Sequence, residues 1–263
     1  MKKVSKIWIV FSYSIAILSI ITSLLGILTS LPYSKEAESW ALQAIGQDIG
    51  NLIATIVLLF STYFLSKKSI KTFFIWQGTL LYFIYAYLIY AFFIHFNYLF
   101  LVYIIVLGLS FYTVIGSLFE QDLISISKSF LSKHEKSASI LLIIIGSLFG
   151  FLWLSEIIPA LISSTIPASL INTGLWVSPV QVIDLAIVLP AMIITGIFLI
   201  KKNFLGRLFS GPWLMFSTLM GSSIVATMIM ELINGNNHAI VPLVMIGIIT
   251  VSSAITLNLY LKK

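Results

Sequence analysis

Residues 178–202 read SPVQVIDLAIVLPAMIITGIFLIKK, and this stretch decides the class of fold. Ser178 is followed by a proline and, three residues on, by Gln181, a pattern that predicts a capped helix beginning at about Pro179. The apolar run then continues for ~20 residues to a lysine pair, which is the length needed to cross the hydrocarbon core of a bilayer. The stretch therefore predicts a membrane-spanning helix.

Two residues inside this helix need partners that lipid does not offer. Asp184 would be costly in hydrocarbon, and Pro190 deprives the carbonyl of Ala186 of its helical donor. We therefore expect both groups to be satisfied by neighbouring helices or by water inside a bundle.

The composition of the whole chain is that of a membrane protein. Of its 263 residues, 59% are hydrophobic and 9% are charged, and the mean hydropathy is +1.08. These values lie far outside the range of soluble domains. The absence of cysteine excludes a disulfide framework, thiol nucleophiles and cysteine-bound metals. The net charge of +6 is spread over short connections, so we expect no nucleic acid partner. No cofactor is expected.

Seven further segments are apolar enough to cross a bilayer. The first follows Met-Lys-Lys, but its apolar run is longer than that of a signal peptide and no cleavage pattern follows. The predicted fold class is therefore all-α, a polytopic integral membrane protein with eight transmembrane helices in one bundle domain over residues 1–263. The predicted spans are residues 7–29, 47–66, 72–95, 98–119, 137–162, 179–200, 208–233 and 239–261.

The distribution of basic residues predicts the orientation. With a cytoplasmic N-terminus, fourteen of the fifteen lysines and arginines fall on the inner side and only Lys35 falls outside. This is a strong positive-inside bias, and an odd number of spans would break it. We therefore expect both termini in the cytoplasm and the chain in the cell (plasma) membrane. Trp40 and Trp176, in the outer loops 30–46 and 163–178, suit the aromatic belt at the headgroups.

Four acidic residues fall within the spans or at their ends, and the predicted topology puts all four in the outer half of the membrane. The same helix faces carry amide side chains, at Asn51 in the second span and Gln181 in the sixth. We predict an outward-facing cavity that binds a proton, a cation or a cationic solute. The candidate binding residues are Asp184 and Glu156, with Asp48 and Glu231 nearer the mouth, and Gln181 and Asn51 beside them.

Each acid also has a structural interpretation. Asp48 could cap the second helix, and Glu231 could be a solvated helix end. Glu156 and Asp184 could join helices through hydrogen bonds.

Other residues give weaker indications. His95 and His238 lie at span ends without metal-ligand spacing, so interface positions are expected, and metal binding is left open. A GxxxG motif at residues 146–150 allows helices to approach closely. The tyrosines of the third and fourth spans could line an aromatic pocket or simply pack helices together. They are Tyr82, Tyr85, Tyr87, Tyr90, Tyr98, Tyr103 and Tyr112.

Residues 76–112, 153–161 and 178–206 resemble a family of bacterial multi-pass membrane proteins whose sixth span carries the pattern NPVxVxDLxxxLPA. This chain has Ser178 where the pattern has asparagine. The resemblance covers about half of the chain. It implies a bacterial cell membrane and no particular activity, and it favours Glu156, Asp184 and Pro190 as important residues.

Three functional hypotheses follow. The first is a small transporter or channel whose carboxylates titrate as the solute enters the cavity. The second is an intramembrane enzyme acting on a lipid or lipid-linked substrate at the outer leaflet, with Glu156 and Asp184 as acid and base or as metal ligands. The third is a non-catalytic subunit or immunity-type protein that binds another membrane protein. Membrane lipids are expected partners in every case.

Overall fold

The computed structural model describes residues 1–29 and 31–262, and within them every regular element is a helix. Eight helices are long and apolar enough to cross a membrane, which confirms the predicted number and is compatible with a multi-pass integral membrane protein. They are named span 1 to span 8 in chain order. Their bounds are Lys6–Thr29, Glu38–Lys67, Ile70–Phe93, Phe100–Phe119, Glu135–Ile162, Pro179–Ile200, Phe204–Ile233 and Asn237–Leu261.

The two ends of the bundle carry different connections. One end, named the terminal face, holds residues 1–5 and 262 and the connections 68–69, 120–134 and 201–203. The other end, named the loop face, holds the connections 31–37, 94–99, 163–178 and 234–236. Each face also has a short helix that the hydropathy pattern does not predict, Leu123–Ser129 on the terminal face and Ala168–Thr173 on the loop face. That the terminal face is cytoplasmic stays a prediction from the basic residues.

Span 2 begins at Glu38, earlier than the predicted start at residue 47. The added turns are amphipathic, and their apolar side packs into the bundle. Trp40 is only 6% exposed, and its indole N–H donates to the carbonyl of Phe93 at 3.0 Å. The prediction that Trp40 lies in the headgroup belt is therefore wrong, because its polar N–H is already satisfied inside the protein. Trp176, by contrast, is 97% exposed on the loop face.

Spans 2 and 7 pack closely along a pair of glycines. A Cβ built at Gly46 would overlap Thr227, and one built at Gly50 would overlap Ser223. These two glycines form a second GxxxG motif, and they allow the two helix backbones to approach closely.

Of the GxxxG motif at residues 146–150, only one glycine lies in a close helix contact. A Cβ at Gly146 would crowd the carbonyl of Leu189 and the side chain of Ile193, so this glycine lets spans 5 and 6 approach closely. Gly150 faces open space and makes no such contact.

Span 6 is capped as predicted but is not a regular helix. The hydroxyl of Ser178 accepts the backbone N–H of Gln181 at 3.3 Å. Residues Asp184–Val188 then form a π-helical turn, in which the backbone N–H of Leu189 donates to the carbonyl of Asp184. The wide turn directly precedes Pro190, which cannot donate a backbone hydrogen bond. Turns of this kind are frequent at functional sites.

Span 3 is the most enclosed of the eight helices and reaches three neighbours through its tyrosines. The hydroxyl of Tyr87 lies 2.7 Å from that of Thr22 in span 1. Tyr82 donates to Asn51 in span 2 at 3.0 Å, and Tyr85 donates to Asp184 in span 6 at 3.1 Å. Span 3 is therefore bonded to spans 2 and 6, which carry the candidate residues Asn51 and Asp184.

Candidate functional site

A cavity of about 570 Å³ lies among spans 2, 3, 5, 6, 7 and 8 in the half of the bundle nearest the loop face. The segment 163–178 contributes to its wall at the loop face. Its lining residues farthest from that face lie near the middles of their spans. The volume is typical of sites that bind small organic molecules. The wall is predominantly apolar and includes Phe149, Met192, Phe216, Met220, Met228 and Met245.

Asp184 lies on this wall, at the start of the π turn of span 6. One carboxylate oxygen, Oδ1, accepts the hydroxyl of Tyr85 at 3.1 Å, and the other, Oδ2, accepts the indole N–H of Trp153 at 2.9 Å. Both donors are neutral and also line the cavity. No lysine, arginine or histidine of residues 1–29 and 31–262 forms an ion pair with Asp184. Neutral donors therefore hold the Asp184 carboxyl group in position on the wall.

Glu156 does not line the cavity with Asp184. Its Oε2 accepts the side-chain amide of Gln181 at 2.7 Å, and its Oε1 accepts the backbone N–H of Ser169 at 3.3 Å. Gln181 and Ser169 are both on the cavity wall. Glu156 therefore ties the first turn of span 6 to the short helix in segment 163–178. The two carboxylates each have their own donors and do not bond to one another.

Asp48 and Asn51 are fully buried beneath the cavity rather than on its wall. Asp48 is 1% exposed and lies well inside span 2, so the interpretation that it caps this helix is wrong. Its Oδ2 accepts the hydroxyl of Tyr33 at 2.6 Å, and its Oδ1 accepts that of Tyr90 at 2.9 Å. Tyr90 lines the cavity, so a single side chain separates Asp48 from it.

Glu231 lies near the loop-face end of span 7 and is also off the cavity wall. It is 7% exposed, so it is not a solvated helix end. Its carboxylate accepts the hydroxyl of Ser39 at 3.4 Å and the side-chain amide of Asn236 at 3.1 Å. Ser39 lies in the first turn of span 2 and lines the cavity, so Glu231 contacts the wall from its outer side.

Several polar residues of the site were not singled out from the sequence. Gln47 lines the cavity, accepts the hydroxyl of Ser223 at 2.8 Å and donates to Tyr82 at 2.8 Å. Trp153, which holds Asp184, could have been suspected because an indole N–H inside a bilayer needs an acceptor. Of the seven tyrosines considered, Tyr85 and Tyr90 line the cavity, while Tyr98 and Tyr112 are exposed.

The histidines are not gathered around a metal position. In the part of the chain that the structure describes, no three histidine or acidic side chains are placed to share an ion. The ring of His95 instead lies 2.9 Å from the carboxylate of Glu36 on the loop face.

Comparison of this chain with protein family models, curated proteins and solved structures found no match in any of the three. The resemblance to the bacterial multi-pass family stays an expectation, and function is inferred from the geometry of the cavity.

Proposed function

We propose that this protein is a small membrane transport protein that binds a cationic, largely apolar solute in the cavity beside Asp184. The observation that carries the proposal is one carboxylate, without a cationic partner in the described residues, on the wall of an otherwise apolar space. An uncompensated negative charge in a medium of low dielectric constant attracts a cation far more strongly than the same charge in water.

The rest of the wall fits the apolar part of such a solute. Methionine side chains are flexible and polarizable, so they adapt to ligands of differing shape. Trp40, Trp153 and Tyr85 also line the cavity, and aromatic faces attract organic cations. These features together favour an organic cation over a bare metal ion, which would need several oxygen ligands.

The position of the cavity fits one step of a transport cycle. The cavity occupies the loop-face half of the bundle, and the predicted orientation makes this the extracytoplasmic half. Transport requires that the site later open to the other side. The π turn and Pro190 in span 6 provide a point at which the helix can bend, directly beside the carboxylate.

The enzyme hypothesis receives less support from this geometry. It needs Glu156 and Asp184 to act together, but Glu156 is not on the cavity wall and its carboxylate is already bonded to Gln181 and Ser169. The hypothesis of a non-catalytic membrane subunit stays a prediction that co-purification of a partner protein would test.

The test measures binding of tetraphenylphosphonium, an apolar organic cation, to the purified protein in detergent. Quenching of tryptophan fluorescence reports binding, because Trp40 and Trp153 line the cavity. We expect Asp184→Asn to weaken binding by about tenfold or more, since it removes the charge but keeps the side-chain shape. Asp122→Asn, the same change at an exposed position on the terminal face, should have no effect. Equal affinity of the wild type and Asp184→Asn would refute the proposal.

A further inference from the structure

We infer that Asp48 is a proton-binding site separate from Asp184, and that it exchanges its proton with the cavity through the hydroxyl of Tyr90. This inference rests on the proposed transport function and specifies its coupling ion. Ionisable residues within membrane spans commonly form proton relays.

The environment of Asp48 is built around its carboxyl group. Spans 1 and 2 meet there at Gly26, where an added Cβ would overlap the Oδ2 atom of Asp48. The position of this oxygen therefore depends on the absence of a side chain in span 1. The carboxyl group accepts the hydroxyls of Tyr33 and Tyr90, and no cationic side chain of the described residues pairs with it.

The titratable groups that surround Asp48 are all tyrosines. Tyr33 follows span 1, Tyr87 and Tyr90 come from span 3, and Tyr103 comes from span 4 with its ring stacked on Tyr90 at 5.2 Å between centroids. The opposite side of span 2 faces span 7, which contributes the hydroxyls of Ser223 and Thr227 near Gly50 and Gly46. Asp48 is therefore the acidic group of this cluster.

The hydroxyl of Tyr90 can pass a proton in either direction. It lies 2.9 Å from Oδ1 of Asp48, and Tyr90 lines the cavity. In the inward step the O–H bond of Tyr90 breaks as its proton bonds to Oδ1, and the phenol oxygen takes a proton from a hydronium ion that enters the cavity, which leaves a neutral water molecule. When Asp48 is protonated, the hydroxyl has a second acceptor ready, because the carbonyl of Ala44 lies 3.2 Å away. The relay therefore leaves no buried hydroxyl without a partner in either state.

Proton and solute sites lie on two sides of span 3. Tyr85 of this span bonds to Asp184, and Tyr90, five positions on, bonds to Asp48. A cation beside Asp184 disfavours a proton bound at Asp48, because both are positively charged. Binding of the solute should therefore release the proton, so that the two are exchanged. Transport of this kind would let a proton gradient drive the solute out of the cell.

The test is infrared difference spectroscopy of the full-length protein across a pH series in H₂O and in D₂O. We expect a protonated-carboxyl band that changes with pH, shifts in D₂O and is absent from Asp48→Asn, while Asp184→Asn retains it. Tyr90→Phe should keep the band but slow its exchange with D₂O by about tenfold or more, because the relay hydroxyl is missing. Tyr90→Phe still tests the inference if Asp48→Asn does not fold.

The inference is overturned if no band depends on Asp48, or if Tyr90→Phe exchanges as fast as the wild type. Its failure is separable from that of the proposed function. Tetraphenylphosphonium binding without an Asp48 band would refute the proton site alone. An Asp48 band that depends on Tyr90, in a protein that does not bind the cation, would leave the proton site standing and refute the solute site.

Discussion

The indole N–H of Trp153 in span 5 donates to Oδ2 of Asp184 in span 6 at 2.9 Å. This bond fixes the carboxylate on the cavity wall from one side, as the hydroxyl of Tyr85 does from the other. A hydrogen bond to a charged group contributes roughly 1.5–3 kcal/mol. We expect Trp153→Phe, which keeps an aromatic ring but removes the donor, to lower the melting temperature of the protein in detergent. Trp176→Phe, at a fully exposed site, is the control, and equal melting temperatures for the two variants would contradict the assigned bond.

Glu156 holds the segment 163–178 over the cavity through the backbone N–H of Ser169. Glu156→Gln places a second amide next to that of Gln181, so the present bonds cannot all form. We expect amide hydrogen exchange in the short helix Ala168–Thr173 to accelerate by about tenfold, with exchange in the middle of span 5 unchanged. Glu38→Gln provides the control, because Glu38 also accepts an amide on the loop face but is bonded to Asn234. Unchanged exchange in Glu156→Gln would show that other contacts hold the segment.

The glycine pair of span 2 sets how closely span 7 can approach. We expect Gly50→Ala to destabilise the protein by about 1–3 kcal/mol, because the new methyl group would overlap Ser223 in a packed interface. Gly150→Ala makes the same change where nothing lies within contact distance, so it should be neutral or slightly stabilising. Thermal unfolding of both variants in the same detergent measures the difference, and a reversed order would contradict the packing described.

Asp122 caps the short helix Leu123–Ser129 on the terminal face, outside the spans. The backbone N–H of Ser125, at 3.0 Å, and its hydroxyl, at 2.7 Å, hold the pKa of the Asp122 carboxyl below its usual value. A lowered pKa in the folded state means that the cap contributes stability above the ordinary aspartate range, near pH ~3.9, and loses it as the pH falls through the folded value. We expect the Ser125 amide resonance to titrate below that range in the wild type and not to titrate in Asp122→Asn. A midpoint at or above the ordinary aspartate value would contradict the cap.

Much of the fold could be predicted from hydropathy, because a helix that crosses a bilayer must be apolar over its whole length. The start of span 2 could not be predicted in this way. Residues 38–46 include polar side chains, and their burial depends on the neighbours that Trp40 meets in the bundle. The short helix Ala168–Thr173 could not be predicted either, because six residues are too few to show a periodic pattern.

The candidate site was predicted in part. Depth in the membrane singled out Asp184, and it does lie on the cavity wall beside Gln181. The same criterion grouped Asp48, Glu156 and Glu231 with it, but depth along a helix does not determine the direction in which a side chain points. The carboxyl groups of those three acids are not on the wall, and they bond instead to tyrosine, amide and hydroxyl groups of neighbouring residues. Such contacts depend on how the helices are rotated against each other.

The π turn at Asp184–Val188 holds one residue more than a regular helical turn would. If the same residues wound as an ordinary α-helix, the extra residue would no longer be absorbed. The part of span 6 before this turn would then rotate by about 100° relative to the part after it. Asp184 would swing away from Trp153 and Tyr85, while Met192 kept its place. The helix would still be long enough to cross a bilayer, but the carboxyl group of Asp184 would no longer lie on the cavity wall.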